Sequence, residues 1–131
     1  MNTEKLRAFA LDLNRVAPRS PYAALDEFPV WAARLVDKCR AELLGQAGSY
    51  RFNCPMDRRF FEATGLSAEA LRNFLATGAD DIEVAAWMAA QATAPREDFL
   101  RWCRRFQANP LWRLLELEDW LHRRRNRRKH S

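Results

Sequence analysis

The sequence predicts an all-α protein, a compact single-domain bundle of about six or seven short helices. Three observations carry that prediction. Apolar residues recur every three or four positions, no run alternates convincingly with period two, and Ser, Asp, Pro and Gly punctuate the segments where helices start and stop.

Leu6, Phe9, Ala10 and Leu13 follow the i, i+3, i+4, i+7 rule and mark a short first helix. It ends before Pro18, because a residue preceding proline is pushed out of helical geometry. Pro18-Arg19-Ser20-Pro21 is a rigid connection, and Pro21 or Ala23 is placed to open the next element. The clearest helix spans Pro29 to Leu44, with Phe28, Trp31, Ala32, Leu35, Cys39 and Leu43 on one stripe and Gly45 as its stop. Lys38 and Glu42, one turn apart, are expected to pair at the rim, while Asp37 and Arg40 fall on the opposite, solvated face.

Gly45 to Pro55 reads as irregular, with a short extended piece around Tyr50 and Phe52. Pro55 suits a first helical turn, and Gly65 closes a helix carrying Met56, Phe60 and Ala63. Ser67 caps a segment with Leu71, Phe74 and Leu75 that Gly78 ends. Asp80 and Glu83 form a capping box ahead of Ile82, Ala85, Ala86 and Ala89. Pro95 opens a helix with Phe99, Trp102, Cys103 and Phe106 on one side, with Phe9, Trp31 and Phe60 also assigned to the core. Asn109-Pro110 restarts the chain into Leu111, Leu114, Leu115 and Leu121. This divides the chain into a helical body, 1–109, and a C-terminal helix with a basic tail, 110–131. The last helix reads as an appendage, with Trp112 and Trp120 offering a partner surface or docking onto the body.

A length of 131 residues fits one domain with its own core, and eight Phe with five Trp supply bulky material for it. The three cysteines are odd in number and far apart, with no CxxC pair, which argues against a zinc ribbon or a disulfide framework. The first residues lack the apolar run of a signal peptide, and no stretch approaches the roughly 20 apolar residues of a membrane span. A cytoplasmic protein is the resulting expectation. The formal charge of +5 is uneven: Arg123, Arg124, Arg125, Arg127, Arg128 and Lys129 hold six of the 22 basic residues, leaving 16 against 17 acidic ones elsewhere.

Four segments carry a family resemblance: Pro18–Pro21, Ala33–Ala41, Tyr50–Asp57 with Phe60 and Phe61, and Gly78–Trp87. Their residues and spacing resemble the bacterial family known as domain of unknown function 5069, across about residues 10 to 108. The resemblance implies a bacterial protein of one domain and imports no activity.

Standard enzyme signatures are missing. The two histidines, His122 and His130, lie near the C-terminal end and pair with no Cys, Asp or Glu at ligand spacing, so no metal is expected. Neither a Walker loop nor a G-x-G-x-x-G turn is present, and no cofactor is expected. The most chemically loaded stretch runs from Tyr50 to Asp57. Tyr50, Asn53, Cys54 and Asp57 gather a phenol, an amide, a thiol and a carboxylate at a helix start, with Arg19, Asp37 and Lys38 as companions in a polar cleft. Capping by Asn53 and Asp57 is the favoured alternative for the turn, and for Asp37 and Arg40 a solvated charged face or an ion pair that fixes a loop.

Three readings of function follow. The first is a non-catalytic protein- or ligand-binding domain. The second is a nucleic-acid or ribosome-associated accessory protein using the basic tail, since clustered cations neutralise phosphates without reading sequence. The third is an enzyme working through Tyr50, Cys54, Asp57 and Arg19.

Overall fold

A computed structural model describes the backbone of residues 1–130 and the side chains of residues 1–125. Seven α-helices follow in order: α1 (Thr3–Phe9), α2 (Ala32–Leu43), α3 (Pro55–Thr64), α4 (Ala68–Leu75), α5 (Asp81–Gln91), α6 (Arg96–Ala108) and α7 (Arg113–His130). A 3-10 turn, Pro110–Trp112, leads into α7. Among the described residues there is no strand, only an isolated bridge between Leu25 and Phe28, and no helix is long and apolar enough to cross a membrane.

Local chemistry sets the boundaries. Ser67 accepts the Ala70 N–H at the start of α4, and Asp80 and Glu83 exchange backbone bonds at the start of α5. Gly65 ends α3 at φ 73°, where an added Cβ would run into Thr93 and Ala94. The Pro29 start expected for α2 is displaced to Ala32. Leu25 and Phe28 exchange two backbone bonds, the Trp31 N–H donates to the Pro21 carbonyl, and Trp31 itself sits at φ 69°. Residues 28–31 are thereby held in a tight non-helical bend, and no helix opens at Pro21 or Ala23. Turns at 48–49 and 52–53 flank Tyr50 and Arg51, and no strand forms among these residues.

Helix α2 is the axis of the bundle. Every residue from Ala32 to Ala41 is buried, including Arg34, Asp37, Lys38 and Arg40. It packs against α4, while α3 packs against α6 and α4 against α5. An aromatic wall fills the side toward α3 and α6. Phe60 meets Phe99 and Trp102 edge-on at 5.8 and 5.9 Å, Trp31 meets Phe106 at 5.8 Å, and Phe106 stacks on Trp112 at 5.3 Å. Such pairs contribute roughly 0.5–1.5 kcal/mol each beyond the area they bury.

Helix α7 and the turn before it are tied to the body from Trp112 to His122. Trp112 and Leu115 pack on the core, Glu116 accepts from the Ser20 hydroxyl at 2.6 Å, and Asp119 is 3% exposed. The inward stripe of α7 is Trp112, Leu115, Asp119 and His122. Leu111 and Leu114, expected to line it, face outward, and Leu121, 39% exposed, borders a cavity beside Tyr50. Phe9 also leaves the core, at 42% exposure, and lies under the Arg40 guanidinium at 5.6 Å.

Candidate functional site: a cavity between α2 and α7

Two polar clusters flank α2, and for Asp37 and Arg40 the ion-paired alternative replaces the solvated face. Because neighbouring elements enclose α2 all round, its polar positions are buried and must find partners. In the first cluster, Arg19 donates to Asp37 through its backbone N–H at 2.8 Å, Nε at 3.0 Å and Nη2 at 3.0 Å, and to Asp81 through Nη1 at 2.8 Å. Arg40 reaches Asp81 and the Ala79 carbonyl, both at 2.8 Å. Among the described residues, Arg40 Nε is the buried side-chain nitrogen with no hydrogen-bond acceptor. Burial alone would raise the Asp81 pKa, but the hydrogen bonds and charges of Arg19 and Arg40 outweigh it and lower the value. This cluster pins the Pro18–Pro21 loop to α2 and to the start of α5.

The second cluster faces the other way. Asp57 accepts from the Trp31 indole at 2.8 Å, from Lys38 Nζ at 2.9 Å on each oxygen, and from the backbone N–H groups of Asn53 and Cys54. The expected Lys38–Glu42 pair does not form. Lys38 turns inward to Asp57, and Glu42 pairs with Arg72. Arg34, 4% exposed, forks onto Asp119 at 2.7 and 3.1 Å, and the Tyr50 hydroxyl donates to the same carboxylate at 2.9 Å. Burial, then the Asp119 charge and its hydrogen bond, push the Tyr50 pKa well above that of an ordinary phenol.

Beside this second cluster lies a cavity of about 490 Å³. Trp31, Arg34 and Lys38 of α2 form its floor, Tyr50 and Cys54 one wall, and Trp112 and Leu115 the opposite wall. Arg34 lies over the rings of Trp31 and Tyr50 at 5.8 and 5.6 Å, and Lys38 over Trp31 at 5.3 Å. His122 meets Tyr50 edge-on at 5.2 Å and its Nε2 approaches the Leu13 carbonyl at 2.9 Å; a carbonyl only accepts, so Nε2 carries the proton. At the rim stand Arg51 and Arg125, which have no carboxylate partner among the described residues, and Glu118. Trp31 holds its left-handed backbone, worth about 1–3 kcal/mol of strain, at the floor of this cavity.

The expected cleft residues therefore divide. Lys38, Tyr50 and Cys54 line the cavity, and Asp57 sits directly behind Lys38. Arg19 and Asp37 belong to the other cluster. Asn53 contributes its φ of 65° and a backbone N–H to the turn, not a side chain to the cavity. Cys54 lies 3.4 Å from Lys38 Nζ. Of the tail residues, Arg123, Arg124 and Arg125 are exposed, and the side chains of Arg127, Arg128 and Lys129 lie outside the described residues. Among the described residues no group of three His, Cys, Asp or Glu is placed to hold a metal ion.

Sequence reasoning missed Arg34, Arg51, Trp112, His122 and Arg125 as cavity residues, and Asp119 as the carboxylate that holds Arg34 and Tyr50 from behind. One signal was available: Asp119 interrupts the stripe of Trp112, Leu115 and His122, and a carboxylate on an inward stripe demands a buried cation.

The match to known families fits this geometry. Residues 15–128 match the family described as a domain of unknown function, DUF5069. The chain belongs to DUF5069. The match runs past Asn109 through most of α7, so the DUF5069 region includes both walls of the cavity. No curated protein matches the chain.

Proposed function

We propose that this DUF5069 protein is a non-catalytic binding domain whose cavity takes a small organic anion with a flat, apolar part. The observation that carries this reading is the cavity itself. Its volume falls in the range of roughly 300–1,000 Å³ usual for small-ligand sites. Three aromatic residues, Trp31, Tyr50 and Trp112, offer ring surfaces, and Arg51 and Arg125 offer unengaged positive charge at the mouth. Glu118 is the one carboxylate in the lining.

The polar groups nearest the floor support binding over catalysis. Asp57 accepts five hydrogen bonds and is saturated, and Asp119 is buried beneath the Arg34 fork and the Tyr50 hydroxyl, outside the cavity lining, so neither carboxylate is presented to a substrate proton. Arg34 and Lys38 are fixed by those carboxylates, which makes the floor rigid before any ligand arrives. The three thiols are unpaired, which supports a reducing cytoplasm as the compartment.

Because Trp31 and Trp112 line the cavity, tryptophan fluorescence is a direct readout. Titration with benzoate, phenyl phosphate and adenosine monophosphate is expected to quench it saturably with at least one probe. Arg51→Ala with Arg125→Ala should weaken that probe about tenfold, the loss of roughly 1.4 kcal/mol. No saturable quenching by any of the three, or equal affinity in the double variant, overturns the reading.

A further inference from the structure

We propose that the outward face of α7 is a docking surface for an anionic membrane. Leu111, in the turn before the helix, and Leu114, Leu117, Trp120 and Leu121 are 39–61% exposed. Within α7 the spacing of three and four puts Leu114, Leu117 and Trp120 on one arc, opposite the inward stripe of Leu115, Asp119 and His122, with Leu121 at its edge, where it also borders the cavity. Arg124 falls on the same outward arc by that spacing, and its guanidinium lies over the Trp120 ring at 5.2 Å, whereas Arg113 is turned onto the Tyr22 ring at 4.6 Å and pairs with Glu116 at 3.5 Å.

The carboxylates of α7 are all turned elsewhere. Glu116 bonds to Ser20, Glu118 faces the cavity, and Asp119 is buried against Arg34. The outward arc therefore offers large apolar side chains and positive charge with no negative charge among them. The sequence adds Arg127, Arg128 and Lys129 one turn further on.

That combination selects the partner. A second copy docked on the same face would bring Arg124 against an arc that has no carboxylate to receive it. A nucleic acid would satisfy the arginines but leave the leucines in water. An anionic bilayer satisfies both: leucines enter the acyl boundary, Trp120 takes the interfacial level, and arginines extend to headgroup phosphates. The anchored inward face leaves α7 on the body, so the surface needs no rearrangement to engage.

Co-sedimentation of the full chain with vesicles tests the assignment. The protein is expected to pellet with phosphatidylglycerol-containing vesicles and remain in the supernatant with pure phosphatidylcholine. Leu114→Ser with Leu117→Ser should reduce vesicle affinity about tenfold with an unchanged circular-dichroism spectrum, since neither side chain is buried. Arg124→Glu should also weaken binding. Three outcomes overturn the proposal: no pelleting with anionic vesicles, pelleting that the leucine variant leaves intact, or a concentration-dependent dimer that the leucine variant abolishes in the absence of lipid. Salt-sensitive retention of DNA by a protein that ignores the vesicles assigns the face to nucleic acid instead.

Discussion

Asp119 of α7 holds Arg34 of α2 through two parallel hydrogen bonds, 2.7 and 3.1 Å long, across 85 residues of sequence. Both side chains are almost fully buried, so removing either leaves a charge in the interior with no counterpart. Asp119→Ala is expected to destabilise the fold by roughly 3–5 kcal/mol, measured as a shift in the urea midpoint. The paired change Arg34→Met with Asp119→Leu should recover most of that loss. A single variant as stable as the wild type would mean that water reaches Arg34 in solution.

Asp57 poses the same problem with more donors. Asp57→Ala strands Lys38, the Trp31 indole and the Asn53 and Cys54 N–H groups together. Its cost should again reach roughly 3–5 kcal/mol. Glu42→Ala, which breaks the half-exposed pair with Arg72, should cost less than about 1 kcal/mol. Comparable losses for the two variants would refute the distinction between buried and surface pairs drawn for α2.

Acid should loosen the first cluster. Asp81 titrates lower in the folded chain than its ordinary value of 3.8, so folding favours its charged form. That stabilisation is complete above pH 3.8 and is lost as pH falls through the lowered folded value. Melting temperature followed down through this range is expected to fall more steeply in the wild type than in Asp81→Asn. Parallel acid limbs would show that the Arg19–Asp81–Arg40 contacts do not govern the titration.

The thiols should separate by accessibility. Burial pushes Cys39 up to about 12 and Cys103 up to about 11, and both are buried, whereas Cys54 is half-exposed at the cavity wall. A thiol reagent at neutral pH should modify one cysteine rapidly, and Cys54→Ser should remove that phase. Fast modification of all three in the folded protein would contradict the packing of α2 and α6.

The helices were legible because their ends are written in local chemistry. Asp80 and Glu83, Ser67, Pro55 and Gly65 each act within one turn of themselves, and each marks the boundary it predicts. The start of α2 was not legible, since Trp31 is bent out of helical geometry by bonds to Pro21 and Asp57 that sequence spacing does not show. The candidate site was half legible for a related reason. Periodicity says which face of a helix is apolar, but not whether the opposite face meets water. For α2 it does not, so periodicity alone leaves open whether Asp37 and Arg40 meet water or the ion pairs that enclose them. Lys38, Tyr50, Cys54 and Asp57 stood out because they cluster along the chain or at a cap. Arg34 and Asp119 did not, because nothing near either one announces the other.

The distance between those two partners along the chain has a consequence for synthesis. A ribosome releases α2 well before α7, and in that interval the Arg34 guanidinium lacks the carboxylate that balances its charge. The central helix therefore cannot dry out as it emerges. Interior and cavity are sealed by one event, the arrival of the last helix, and an interrupted chain that stops short of Asp119 is left with its axis wet.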